Sequence, residues 1–498
     1  MARIAVIGAG LGAMAAAARL AVAGHRPVVL ERAATYGGAV GRLERDGFVF
    51  DTGPGLLPLP AVYRDLFVKT GRKPLEELVG LTQVEPAVRH VFADGTAADL
   101  PNARRAGVAE ALDAVVGAGA GARWSAFMDR AREAWDRSRR PLLEEPLWPN
   151  WQVLADREPY PAVTARRLLR KDRTATTLGE IGTFELGGDP RLVALLEQYA
   201  LAYGLDPRTA PASAAVLPYM EQTFGTWAVT GGMRALADAV YARCLERRVE
   251  FVFGADVTRI VVKDGRAAGV ELAGGAVEDA DFVVAGVAPG VLDALVPDRA
   301  LRAGVPARPE AGVPSRLTVH LALRGARPEG TPHRTVVHGA DRGAELAWLF
   351  EDGPRPVRPT VTVLRPGEPS QVPDAAHEAA TVTVTVPPHA RVDETDVDAV
   401  LAAAGRAVPG LRDRLLWHEV RTPRDIAEET GAVGGAVPAP ALAAAQGRLL
   451  HPSNTTELPG LFAVGGWSHP GGGLPHAGMS GALVAGLIVE GPEFRGSQ

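Results

Sequence analysis

Residues 3–13 read Arg3-Ile4-Ala5-Val6-Ile7-Gly8-Ala9-Gly10-Leu11-Gly12-Ala13. Arg3 to Ile7 is short, apolar and partly β-branched, the pattern of a buried strand, whereas Gly12 to Ala23 is rich in Ala and Leu and predicts a helix. In a strand-turn-helix the first glycine permits the tight turn and the second lets a pyrophosphate approach the backbone. The third small position, here Ala13, lets helix and sheet pack closely. A phosphate held there meets unsatisfied amides and the positive end of the helix dipole. Gly24 ends the helix, Pro27 to Leu30 predicts a second apolar strand, and Glu31 closes it. That is about 20 residues after the turn, where a carboxylate accepts ribose hydroxyls. A GxGxxA string alone also fits a plain turn; the second strand and Glu31 favour a dinucleotide cradle. The apolar run to Ala23, with Ala21-Val22-Ala23 near its end, also imitates a secretory leader, but the glycines interrupt it at the spacing of the cradle.

Around this cradle lies a chain of 498 residues, 47% hydrophobic and 22% charged, which belongs with core-forming globular proteins rather than disordered, collagenous or disulfide-scaffold ones. Its length predicts two or three domains, which α/β enzymes weave from non-contiguous pieces. A formal charge of −5, with arginines interleaved among acids as at Asp129, Arg130, Arg132 and Glu133, offers no cationic field to gather nucleic acid. Cys244 is the single cysteine, so the chain has no internal disulfide, CxxC couple or thiolate cage, and the eleven histidines contain no HExxH. No metal is expected, and redox chemistry falls to an organic cofactor. No other window approaches the roughly 20 apolar residues that span a bilayer. The expectation is a cytoplasmic protein, with peripheral membrane contact as the alternative.

Which dinucleotide is bound is decided beyond Glu31. Gly37 and Gly38 are followed by Gly47-Phe48-Val49-Phe50-Asp51-Thr52-Gly53-Pro54. On these residues the chain resembles the phytoene desaturase family of FAD-dependent oxidoreductases, within the amine-oxidase-like flavoprotein superfamily, where the acidic strand end is followed by GGR and then GFxFDxGP. Ala39 stands where the family has Arg; either Arg42 reaches back to the pyrophosphate, or backbone and helix dipole suffice. The resemblance implies FAD as cofactor, held by Gly8 to Ala13, Glu31, Arg32, Gly37, Gly38, Ala39, Arg42, Gly53 and Pro54.

Near the carboxyl end Leu461 to Val464 predicts a strand, followed by Gly465-Gly466-Trp467-Ser468-His469-Pro470-Gly471-Gly472-Gly473-Leu474-Pro475 and a helix from His476 to Val489. A glycine-rich loop opening a helix offers amides to a second anionic group. A reduced flavin carries its charge near N1 and C2, so a helix amino terminus there favours reduction. This segment resembles the HPGGGxP signature of carotenoid desaturases and saturases, implying flavin contacts at Gly465, Gly466, Gly473, Leu474 and Pro475. Gly466 to Pro470 also invites comparison with a nucleophile elbow, yet Pro470 replaces its last glycine and no triad partners are placed.

Between the two ends, Tyr203-Gly204-Leu205-Asp206-Pro207 and Gly231-Gly232-Met233 look like the family's return to its FAD domain. Val249 to Phe253 and Val257 to Lys263 predict strands, Asp264-Gly265 a hairpin turn, Ala267 to Leu272 the returning strand and Ala280 to Ala285 another buried strand. The resemblance implies that the backbone of Val257 holds the adenine. Residues 58–220 predict helices in which Trp124, Phe127, Met128, Trp135, Trp148 and Trp151 are core or pocket lining. Leu142, Leu143, Leu147, Trp148 and Trp151, set among turn residues, read as core or as a membrane-dipping loop. Arg316 to Leu323, Thr360 to Leu364 and Thr381 to Val386 predict a second sheet.

The expected fold is α/β: a discontinuous Rossmann-type FAD-binding domain of residues 1–57, 222–301 and 423–498, roofed by a mixed-sheet and helical substrate domain of residues 58–221 and 302–422. The expected activity is desaturation of an apolar isoprenoid or polyene by hydride transfer to flavin N5, the electrons passing on to oxygen, a quinone or another acceptor. Saturase, isomerase, reductive cyclase, amine oxidase and non-catalytic lipid-binding flavoprotein are the alternatives. His469, His476 and Trp227 are the catalytic candidates, chosen by position near the ring; a loop-bracing hydrogen bond is the other reading of each histidine.

Overall fold

The computed structural model describes residues 1–163, 174–296, 312–388 and 390–496. The expected boundary at 301/302 lies outside the described residues. Five strands form a wholly parallel sheet in the order Glu250–Phe253, Arg26–Glu31, Arg3–Ile7, Phe282–Ala285, Leu461–Ala463. Their near-continuous apolar runs suit a sheet covered on both faces. One face carries the helices Leu11–Val22 and Leu474–Glu490, which pack on each other. Ala5, Ile7, Val28 and Leu30 on the other face meet Ile260 and Val270 of an antiparallel sheet built from Val257–Lys263, Arg266–Leu272 and Val277–Asp279. Its hairpin turns at Asp264-Gly265, both at positive φ. Three distant stretches of chain thus complete one sheet, and its predicted strands and their flanking helices stand within two or three residues of their expected ends.

A second sheet of seven strands runs Leu415–Arg421, Ser315–Arg324, His377–Val386, Val361–Leu364, Arg334–Val337, Val88–Val91, Ala97–Leu100. It is antiparallel except where Arg334–Val337 pairs with Val88–Val91. The two-residue period of Ser315–Arg324 divides its faces. Leu317, Val319, Leu321 and Leu323 share a core with Val400, Leu401 and Ala404 of the helix Glu394–Ala404. Arg316, Thr318 and His320 point the other way, in register with Thr385, Thr383 and Thr381.

The helices Ala120–Arg139, Pro190–Leu201 and Val216–Phe224 cover one end of this sheet in a core that includes Val88, Leu100 and Val336. Trp124, Phe127, Met128 and Trp135 are buried there as core. Of the two readings of residues 142–151, core or membrane-dipping loop, the packing favours core. Leu142, Leu143 and Leu147 are buried and, with Trp148 and Trp151, pack on Ala441, Ala443 and Leu450. Among the described residues no helix is long and apolar enough to cross a membrane.

Candidate cofactor site

The amino-terminal turn is shaped by what its glycines exclude. Gly8 has φ +89°, and a Cβ there would press on the Gly286 carbonyl at 3.1 Å. Above Gly10, by contrast, nothing stands within 4 Å of a Cβ position, which leaves open space over the turn. The helix that follows has no side-chain cap and no acid in its first turn, so its amides face that space unopposed. Glu31 closes the neighbouring strand and accepts hydrogen bonds from the amides of Ala9, 2.7 Å, and Ala33, 2.9 Å. Its carboxylate is thereby fixed at the carboxyl end of the sheet, beside the turn.

The Gly37-Gly38 segment lies directly on this turn. The Gly37 amide donates to the Ala9 carbonyl, 2.9 Å, and a Cβ on Gly38 would stand 3.1 Å from Gly10 Cα. Ala39 packs its carbonyl on Gly53, where any Cβ would collide with it. Arg42 pairs with Glu44 at 2.6 Å on an exposed strand and lies opposite Asp51, and Arg32 donates to the carbonyls of Glu428 and Glu429. The cation beside Gly37 is instead Arg234. It donates to the Tyr36 carbonyl, 2.8 Å, to Thr35 Oγ1 and to Asp238, and its Nη1 would stand 3.2 Å from a Gly37 Cβ. Its one signal in the sequence is its place directly after Gly231-Gly232-Met233. Asp51, quoted in the motif but given no role, accepts the amides of Met233, 2.8 Å, and Arg234, 3.1 Å, and so caps the helix Arg234–Glu246. A Cβ on Gly232 would stand 2.9 Å from that carboxylate.

The carboxyl-terminal loop converges on the same place. A Cβ on Gly12 would stand 2.8 Å from the Ala477 carbonyl and 3.0 Å from Gly465 Cα. Gly465 has φ +99° and open space beside it, and its amide donates to Ser480 Oγ at 2.9 Å. Asn454, for which the sequence offers no signal, donates from one amide group to the His469 carbonyl, 2.8 Å, to Ser480 Oγ and to the Ala463 carbonyl. Gly466 packs on Pro438, and Gly473, at φ +107°, is the uncapped start of the helix that continues through Leu474 and Pro475. Val257 begins its strand opposite Leu272, with a register shift before Arg259. Pro54 follows Thr52-Gly53, and the Thr52 carbonyl accepts from Arg421 at 2.9 Å.

The three catalytic candidates part company. His469 is wholly buried, and its Nε2 lies 2.9 Å from the Glu145 carbonyl, which only an N–H satisfies. Burial pushes its pKa down to about 4. His476 is also buried, its Nδ1 has no partner, and burial with the nearby His451 and His469 brings its pKa down to about 3. It borders a narrow cleft lined by Trp135, Leu142, Leu143, Leu217 and Met220 together with Ser138 and Arg139. Trp227 sits on the strand Thr226–Val229 between Leu57–Pro58 and Leu81–Gln83, with the Arg64 guanidinium over its ring and its Nε1 toward the Phe224 carbonyl. Among the described residues no hydrogen bond or ring contact joins it to the 465–475 loop.

Two uncapped helix amino termini meeting over one parallel sheet, with a fixed carboxylate at the strand end, define a dinucleotide-binding flavoprotein. The open space over Gly10 and beside Gly465, and the unopposed amides around it, fit the pyrophosphate and ring of FAD. Comparison with known proteins agrees. Residues 14–489 match the family of flavin containing amine oxidoreductases. The chain is 30% identical to a 4,4'-diapolycopene oxygenase of Methylomonas sp, with 98% of each chain covered. It is 30% identical to a hydroxyneurosporene desaturase of Rubrivivax gelatinosus, over 98% of this chain and 93% of that one. An oxidoreductase structure from Methanosarcina mazei shares the fold at TM-score 0.65 and 17% identity, covering 97% of this chain and 99% of that chain. The protein belongs to the flavin-containing amine oxidoreductase family, among its carotenoid desaturase relatives, and is a FAD-dependent oxidoreductase.

Proposed function

We propose that the protein desaturates an apolar isoprenoid or polyene, with residues 1–57, 222–301 and 423–498 holding FAD and residues 58–221 and 302–422 receiving the substrate. The observation that carries this reading is the meeting of two uncapped helix amino termini, at Leu11 and Leu474, over the carboxyl end of one parallel sheet, the seat of a flavin dinucleotide. The relatives named for carotenoid desaturation and oxidation support a polyene as the substrate.

Bound FAD supplies a two-electron acceptor at N5. The chain's part is to bring a substrate carbon within roughly 3 to 3.5 Å of that atom. Gly8 to Ala13, Glu31, Gly37, Gly38 and Arg234 hold the pyrophosphate and ribose end. The amides of Gly473 and Leu474, which open the helix just ahead of Pro475, would face the ring of bound FAD and favour negative charge there. His469 braces the loop against the turn at Glu145. His476 orients substrate rather than taking its proton, because a base works best near ambient pH and this ring is held near 3. The proton lost from the neighbouring carbon passes to water.

Anaerobic titration of the yellow holoenzyme with a panel of polyenes and isoprenoids tests the reading. Bleaching of the flavin by a polyene, with recovery on admitting oxygen or a quinone, is expected. Bleaching by NADPH alone, followed by reoxidation by a polyene, would assign the reverse reaction.

A further inference from the structure

One buried amide side chain joins the strand, the loop and the helix of the carboxyl-terminal segment. Asn454 is wholly buried, and its main-chain carbonyl accepts the Ala463 amide at 2.8 Å, on the strand Leu461–Ala463. Its side-chain Nδ2 donates to the His469 carbonyl in the glycine loop, 2.8 Å, and to Ser480 Oγ in the second turn of the helix Leu474–Glu490, 3.0 Å, with the Ala463 carbonyl at 3.1 Å. Two of the groups around Nδ2 are carbonyls, which only an N–H satisfies, so the amide cannot be turned over. Its Oδ1 is thereby left buried without a partner among the described residues. Such an acceptor costs ~1–3 kcal/mol, a cost borne for what the NH2 end holds.

That end holds the backbone beside the cofactor seat. Ser480 Oγ, fixed by Asn454, accepts the Gly465 amide at 2.9 Å, and the Gly465 carbonyl accepts the amide and the hydroxyl of Ser468. Gly465 also lies against the first helix, since a Cβ on Gly12 would stand 3.0 Å from its Cα. With the Gly465 amide spent on Ser480, the next two amides, of Gly466 and Trp467, donate to no group among the described residues. Ser480 belongs to the same helix as the free amide of Leu474, so Asn454 sets the place of the loop relative to the helix start through one rigid element.

We propose that Asn454 is a positioning residue for the flavin reaction, holding the Gly465–His469 loop against the last helix so that the free amides of both face one cofactor. It acts through Ser480 Oγ and the His469 carbonyl. A helix amino terminus favours negative charge, so its placement weights the reduced flavin over the oxidised one.

The test is the flavin midpoint potential of the full-length holoenzyme, read by equilibration with a reference dye, in Asn454→Ala and in Ser480→Ala. Both should lower the potential by about 30 mV or more, which for a two-electron couple is a tenfold loss of the preference for reduced flavin. The control is Leu401→Ala, cut into the separate core between the seven-stranded sheet and the helix Glu394–Ala404, which should lower the melting temperature and leave the potential unchanged. Folded Asn454→Ala that has lost FAD, where Leu401→Ala keeps it, would support the proposal equally. A lowered melting temperature with an unchanged potential in Asn454→Ala would make the residue a brace of the fold alone and overturn the proposal. A raised potential, or failure of both Asn454→Ala and Ser480→Ala to fold, would overturn it as well. The shift depends only on FAD binding, so its absence leaves the polyene reading standing.

Discussion

Gly481 faces the backbone of Gly12 so closely that a Cβ on Gly481 would stand 2.5 Å from the Gly12 carbonyl and 2.8 Å from Ala15 Cβ. The first and last helices of the nucleotide fold therefore touch through bare backbone, and their amino termini are held side by side by that contact.

Gly481→Ala should cost ~1–3 kcal/mol, the range for overpacking a close contact, and should release flavin together with stability. Thermal unfolding of the holoenzyme checks this. An unchanged midpoint with full flavin content would show that the helices part without consequence.

Glu31→Gln should weaken FAD binding about tenfold or more, because the carboxylate organises the Ala9 amide and no neutral amide accepts as strongly in two directions. Fluorescence of released flavin on dilution gives the affinity.

Arg234→Met should likewise lower FAD affinity, since it removes the cation beside Gly37 and frees the Tyr36 carbonyl that it holds. Arg42→Met, which loses an exposed pair with Glu44 and a positive charge opposite Asp51, should leave affinity within about twofold. The reverse ranking would return the pyrophosphate contact to Arg42.

His469→Ala should loosen the 465–475 loop through loss of the bond to Glu145, while His469→Gln, which can still donate, should recover most of the stability. Comparing the melting temperatures of the two variants separates a brace from a proton carrier. Equal damage in both would point to chemistry on the ring.

Stability should fall as pH drops from about 6.5 toward 4. His320, His333 and His469 are held at about 4 and His338 at about 3 by burial, and His90 is lowered for the same reason. Unfolded, these rings titrate near 6.5, so the unfolded chain binds more protons in that window; the stability they confer is complete above it and lost below. Glu158, raised to about 7 by burial, acts with the opposite sign, losing its contribution as pH rises through 7. The several histidines outweigh it. A flat melting temperature between pH 6.5 and 4 would contradict this balance.

Much of the nucleotide fold was legible because glycine encodes backbone. Gly8 and Gly465 need positive φ, Gly12 and Gly38 need close approach, and such positions show in a single sequence. Residues whose role arises across the fold did not show. Asp51 is visible in its motif, but its capping of the Arg234 helix needs a partner far along the chain. Asn454 sits in no distinctive pattern, and it acts through atoms that only the folded chain assembles. The loop at 142–151 could be taken for exposed because the Ala441 to Leu450 segment that covers it is distant in sequence.

The pairing of residues 3–31 with 461–490 also sets a schedule. At roughly 5–20 residues per second of synthesis, the opening strand and helix wait on the order of half a minute or longer for their counterpart to leave the ribosome. Cofactor loading is thus confined to the finished polypeptide, and a message truncated before the last helix yields a product with half a nucleotide seat.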